Sequence, residues 1–250
     1  MVDVFGWRMK FGIVTPSTNT VLQPQMDALR PPGVTNHISR MHISNAGLHS
    51  AEDFARMLSE VNSALESAVD IVMTCEPGHL ILGISGESVW GGGMSAVEGI
   101  RSRIKERIGA IGLTLPADAL AAALRAYGIK KSIALITPYH PSAHDNVAAL
   151  FEDLGYALVR ATHMAQAKPT EIAQTPEKDL RQAVIDLNGP DVEAIVQLGA
   201  NLPMSQVAVE AERWLEKPVL AINTVTYWQA LRSCGIADRA YGCGRLMAEF

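Results

Sequence analysis

The strongest constraint on this chain is an internal duplication. The stretch FGIVTPSTNT at 11–20 is echoed by SIALITPYHP at 132–141, which sets Thr15-Pro16 opposite Thr137-Pro138. HLILGISGES at 79–88 is echoed by EAIVQLGANLP at 193–203, each an apolar run entering a glycine-containing turn. AIGLTLPADALAAALRAYGI at 110–129 is echoed by VLAINTVTYWQALRSCGI at 219–236, and both end in Ala-Leu-Arg-x-x-Gly-Ile. Three matches in one order, about 105–125 residues apart, exceed any solenoid period and describe two copies of one unit facing each other.

Within each copy, short β-branched runs alternate with stretches of helical periodicity. Strands are expected at 11–15, 37–43, 79–85, 110–114, 133–137, 157–161, 194–198 and 219–223. Helices are expected at 51–74, 94–107, 117–127, 143–154, 176–187, 204–215 and 226–234. Strand–helix alternation at this spacing predicts parallel sheets with helices on both faces. Apolar strands such as LILGI and AIVQL fit sheets covered on both sides. The predicted fold class is α/β: two pseudo-symmetric, Rossmann-like α/β/α halves with a cleft between them. The first half takes residues 1–116 and 235–250, the second 117–234, with helices 117–127 and 226–234 crossing between halves.

In open parallel sheets, ligands bind outside the carboxyl ends of the strands, so those ends supply the candidate site residues. The first strand runs into Ser17-Thr18-Asn19-Thr20, hydroxyls and an amide at a helix start, a donor set suited to an anion. The third runs into Ser85, Glu87 and Ser88 among glycines, with Trp90 beyond. Gly83-Ile84-Ser85-Gly86 falls one position short of a nucleophile elbow. The fifth ends at Tyr139 and His140, a hydroxyl donor and a general acid–base candidate. The seventh ends at Gly199, Ala200 and Asn201, while Thr114 and Asn223 close the two remaining paired strands. For each of these residues a purely structural role, as a helix cap or a solvated loop residue, stands beside the functional one.

A net charge of −5 gives no reason to expect nucleic acid or an anionic membrane as partner. The longest apolar runs fall far short of the roughly 20 residues that cross a bilayer, so a cytoplasmic protein is expected. Three cysteines, Cys75, Cys234 and Cys243, suit a reducing compartment better than a disulfide framework. No metal-ligand spacing, P-loop or dinucleotide fingerprint occurs, and no cofactor is expected. Apolar helix faces and four tryptophans are compatible with a homo-oligomer without requiring one.

Pro-Ser-Thr-Asn-Thr after the first strand, Thr-Pro-Tyr after the fifth, the Asn-Leu-Pro turn and NTVTYWQALRSCGI together resemble the aspartate/glutamate racemase superfamily. Within it the chain is most similar to maleate cis–trans isomerases and arylmalonate decarboxylases, over essentially its whole length. The resemblance implies a cofactor-free isomerase or lyase acting at the α-carbon of a small mono- or dicarboxylic acid. It also implies a carboxylate held by Ser17, Asn19, Tyr139 and Asn201 with backbone amides, and cysteines at the ends of the third and seventh strands. Aligning those strand ends places Ile84 and Gly199 at the cysteine positions, followed by Ser85 and Ala200; neither position carries sulfur. Ser85, Glu87 and His140 are then the candidate catalytic groups. Two other readings stay open: a hydrolase of a small amide or lactam using those three residues, and a non-catalytic carboxylate-binding protein.

Overall fold

The computed structural model describes residues 3–85 and 92–250. The first half runs β1 (Met9–Pro16), α1 (Leu22–Ala28), β2 (Val34–Met41), α2 (Ala51–Met73), β3 (His79–Leu82), α3 (Met94–Ile108), β4 (Gly112–Thr114) and α4 (Pro116–Ala126). The second runs β5 (Ser132–Thr137), α5 (His144–Asp153), β6 (Ala157–His163), α6 (Glu177–Leu187), β7 (Ala194–Gln197), α7 (Ser205–Leu215), β8 (Val219–Ala221) and α8 (Ile222–Ser233), and α9 (Arg245–Glu249) closes the chain.

The two four-stranded sheets have orders β2-β1-β3-β4 and β6-β5-β7-β8, with all neighbours parallel. Adding four to each strand number of the first order gives the second, so the duplication read in the sequence is a duplication of topology. The central strands β1, β3, β5 and β7 are almost wholly buried, so each sheet is covered on both faces at its centre. The outer face of the first sheet packs on α2 and α3 through Val61, Leu65, Val69, Val97 and Ile104. The outer face of the second packs on α6 and α7 through Leu180, Val184, Val207 and Ala211. Between the sheets lies one shared core, in which Phe11, Ile13 and Ile81 join Ile133, Leu135 and Val196.

Helices α4 and α8 fill that middle layer. Each starts directly after the fourth strand of its half, and the two pack against each other. Pro116 opens α4 at a first-turn position where the missing N–H costs nothing. Helix α8 also touches α1, β3 and β4 of the first half. It begins at Ile222, four residues before the expected 226, and Asn223 therefore sits in its first turn and not at a strand end. The run Ile-Asn-Thr-Val-Thr carries strand propensity, and burial of Ile222, Val225 and Tyr227 in the shared core overrides it. Strand β2 begins at Val34, three residues before the expected start, because it pairs with β1 from Met9 onward. Strand β3 ends at Leu82, so Gly83, Ile84 and Ser85 run out of the sheet toward the second half. Among the described residues, no helix is long and apolar enough to cross a membrane.

One buried group ties this packing to pH. His79, at the start of β3, is 4% exposed, lies edge-on to Phe11, and places Nε2 2.7 Å from Thr114 Oγ1. Burial first, and the Lys105 charge second, push its pKa from 6.5 down to about 4. As pH falls below 6.5 the unfolded chain takes up a proton that the folded protein refuses, so stability declines until about pH 4. The loss reaches roughly 3 kcal/mol at most. Urea unfolding of wild type and His79→Gln between these pH values should show the extra loss only in wild type. Parallel curves would refute the assignment.

Candidate functional site

The carboxyl ends of both sheets open on one cleft, the place where open α/β sheets bind ligands. One wall is polar. Ser85 and Tyr139, from opposite halves, are 1% and 5% exposed and place Oγ and hydroxyl 3.1 Å apart. Ser85 Oγ also accepts the Gly199 N–H at 2.9 Å. The ends of β3, β5 and β7 are thus joined through one serine hydroxyl. The Tyr139 ring is held edge-on by Phe54 of α2, with centroids 6.3 Å apart. Asn19 and Asn201 complete this wall. Asn19 Oδ1 accepts the N–H groups of Val21 and Leu22 at the start of α1. Asn201 stitches the halves together: Oδ1 accepts the Thr20 N–H, and Nδ2 donates to the Pro169 carbonyl.

Much of the remaining lining is hydrocarbon, from Ile43, Met57, Val61, Ile84, Pro169 and Ile172. Met57 and Val61 stand four residues apart on α2 and so share one face. Among the described lining residues there is no charged side chain and no cysteine. An anion here meets neutral dipoles and hydrocarbon.

The expected site residues divide accordingly. Asn19, Ser85, Tyr139, Gly199, Ala200 and Asn201 line the cleft, and so does Ile84. Ser17, Thr114, His140 and Asn223 do not, because each has a local partner. Ser17 Oγ exchanges hydrogen bonds with the backbone of Ile43, tying the end of β1 to the segment after β2. Thr114 holds His79. His140 Nδ1 accepts from Ser142 N and caps the short helix Pro141–Ala143. Asn223 Nδ2 donates to Gln25 and to the Ala200 carbonyl, and so supports the cleft from behind. Glu87, Ser88 and Trp90 lie outside the described residues.

No thiol replaces the missing ones. Cys75 follows α2, and its Sγ donates to the Val72 carbonyl; Lys10, near the start of β1, binds the Cys75 carbonyl, which sets this residue at the far end of the sheet. Burial pushes the Cys234 thiol up to about 11 and raises those of Cys75 and Cys243. All three are shifted away from thiolate, the reactive form.

Gly199, the expected position of the second cysteine, has φ +98°, and a Cβ there would lie 2.4 Å from Pro138 Cδ. The hydrocarbon lining and the Pro138–Gly199 contact were not legible in the sequence. Met57 and Val61 read as an ordinary buried helix face, and only the duplicated Thr-Pro step hinted that Pro138 stands beside the cleft.

Comparisons with known proteins point in one direction. A family model described as arylmalonate decarboxylase matches residues 47–247. A maleate isomerase of Nocardia farcinica is 28% identical, over 96% of both chains. The solved structure of the Nocardia farcinica maleate cis–trans isomerase superposes with a TM-score of 0.84 at 26% identity, covering 96% of this chain and 98% of that one. A mutant of that enzyme with a covalently bound succinylcysteine intermediate superposes at 0.83. An arylmalonate decarboxylase mutant in liganded form shares the fold at 0.80 and 19% identity, covering 96% and 99% of the two chains.

Proposed function

The chain belongs to the arylmalonate decarboxylase family and is an isomerase or lyase acting on a small carboxylic acid, and from that premise we propose that it works on the lyase side, releasing CO2 from a malonate-type acid with an apolar substituent. The observation that carries this reading is a cleft lined by neutral donors and hydrocarbon, with no charged side chain and no thiol among its described residues.

One carboxylate is held by Ser85, Tyr139, Asn19 and backbone N–H groups. The other is set against the hydrocarbon lining, where an ion is poorly solvated and loss of neutral CO2 is favoured. When the carbon–carboxylate bond breaks, its electron pair passes into the retained carboxylate as an enediolate, which the same donors stabilise. The α-carbon then takes a proton from the Tyr139 hydroxyl, and the phenolate regains one from solvent. Covalent addition of sulfur to an alkene, as in the succinylcysteine-bearing relative, has no thiol here to perform it. Nor is hydrolysis favoured, since Ser85 is paired with Tyr139 and Gly199 instead of His140.

The test is turnover of phenylmalonate, methylmalonate and maleate, followed by proton NMR before and after alkylation of all thiols. CO2 release from phenylmalonate that survives alkylation is the expected result. Conversion of maleate to fumarate that alkylation abolishes and substrate protects would overturn the reading. Binding without turnover or α-proton exchange would leave a carboxylate-binding protein.

A further inference from the structure

Gln197 is a polar residue in a strand that needs none. It ends β7 at 1% exposure, and the residue ending the equivalent strand of the first half is Leu82, also buried. Packing at that position is met by hydrocarbon in one copy, so the amide in the other has a different use. Its Nε2 donates to the carbonyls of Leu198 and Gly199 at 2.6 and 2.8 Å, while Oε1 accepts the Ile222 N–H at 3.3 Å. One side chain therefore holds two successive peptide carbonyls and anchors them to the start of α8.

In a trans peptide the C=O and N–H point in opposite directions. Holding the Leu198 carbonyl aims the Gly199 N–H the other way, and there it meets Ser85 Oγ at 2.9 Å. Holding the Gly199 carbonyl likewise turns the next N–H, that of Ala200, away from Gln197. Ala200 lines the cleft, and its N–H has no protein partner among the described residues. With the Gly199 N–H taken by Ser85, the Ala200 N–H is the donor this turn leaves for an anion in the cleft.

We propose that Gln197 is the positioning residue of this site: by clamping the Leu198 and Gly199 carbonyls it presents the Ala200 N–H to the substrate carboxylate and the Gly199 N–H to Ser85. The inference rests on the reading of the cleft as a carboxylate site. Gln197 itself touches neither substrate nor Ser85; it acts through the turn.

Gln197→Met keeps the volume and removes every hydrogen bond. Gln197→Glu keeps one donor only while its carboxyl is protonated, and once ionised repels both carbonyls. Binding of phenylmalonate and of maleate is measured by calorimetry for wild type and both variants, alongside melting temperature. Met is expected to weaken binding at least about tenfold in a folded protein. Glu is expected to stay within about threefold of wild type at low pH and to fall about tenfold below it as the carboxyl ionises. A merely structural glutamine would not give that pH-dependent rescue.

Folded variants that bind as tightly as wild type at every pH would overturn the inference. Should the methionine variant not fold, the glutamate pH profile decides alone. Should wild type bind neither acid, the carboxylate reading fails by itself, and amide exchange in the free protein decides for Gln197. Exchange at Gly199 and Ala200 about tenfold faster in either folded variant supports the clamp, and unchanged exchange refutes it.

Discussion

Tyr139→Phe and Ser85→Ala are each expected to lower kcat on a decarboxylated malonate by about 10²–10³-fold, the usual cost of one preorganised donor in a water-poor site. The two groups stand 3.1 Å apart and, in the proposed reaction, act as one unit. The double variant should therefore be little worse than the poorer single one. The tyrosine change is the cleaner of the two, since it retains the ring that packs edge-on against Phe54 and removes only the hydroxyl. The serine change also strands the Gly199 N–H that Ser85 accepts, and should cost about 1 kcal/mol of stability besides. Steady-state kinetics on all four proteins, with urea unfolding to confirm intact folds, makes the comparison. If Tyr139→Phe keeps more than about a third of wild-type kcat, the tyrosine is not the proton donor. Additive losses in the double variant would mean that the two hydroxyls act separately.

That these residues were legible at all follows from the duplication. Once two copies of one α/β unit are recognised, the third and seventh strands must end in equivalent places, and Ile84-Ser85 and Gly199-Ala200 fall there before any coordinates are known. Tyr139 comes out the same way, one residue past the repeated Thr-Pro. What the sequence hides is the local partner. Thr114, Ser17, His140 and Asn223 also sit near strand ends, but each is taken by a neighbour that spacing alone does not reveal: His79 across β3, the Ile43 backbone beyond β2, Ser142 two residues on, and Gln25 in α1. Asn201 shows the intermediate case, since it lines the cleft while both ends of its amide are spent on holding the halves together. Substrate-facing hydrocarbon is hidden for a further reason. A methionine and a valine on the buried face of an amphipathic helix look the same whether they meet a core or a ligand. Gln197 is hidden in the same way, inside the run AIVQL that reads as an apolar strand.

Returning a cysteine to position 199 is expected to damage the protein and to leave it without a reactive thiol. Gly199 adopts φ +98°, a region that residues with a Cβ occupy only at a cost of about 1–3 kcal/mol. The Cβ would also lie 2.4 and 2.5 Å from Pro138 Cδ and Cγ, and overpacking of that kind costs about as much again. Gly199→Cys should therefore lose on the order of 4 kcal/mol in urea unfolding. Moving the proline ring away offers little relief, because Pro138 immediately precedes Tyr139 and any shift is transmitted to the hydroxyl beside Ser85. Pro138→Ala in the same chain should recover the overpacking share and leave the backbone share. Ile84→Cys is the contrasting case: Ile84 lines the cleft after β3 without a positive φ, and a smaller side chain there meets no clash, so a loss of about 1–3 kcal/mol from the vacated volume is all that is expected. A Gly199→Cys protein as stable as wild type would show that the Pro138 contact yields easily. The expected loss would show instead that the proline, the glycine and the tyrosine form one arrangement, in which the hydroxyl wall is built over the space a thiol would need.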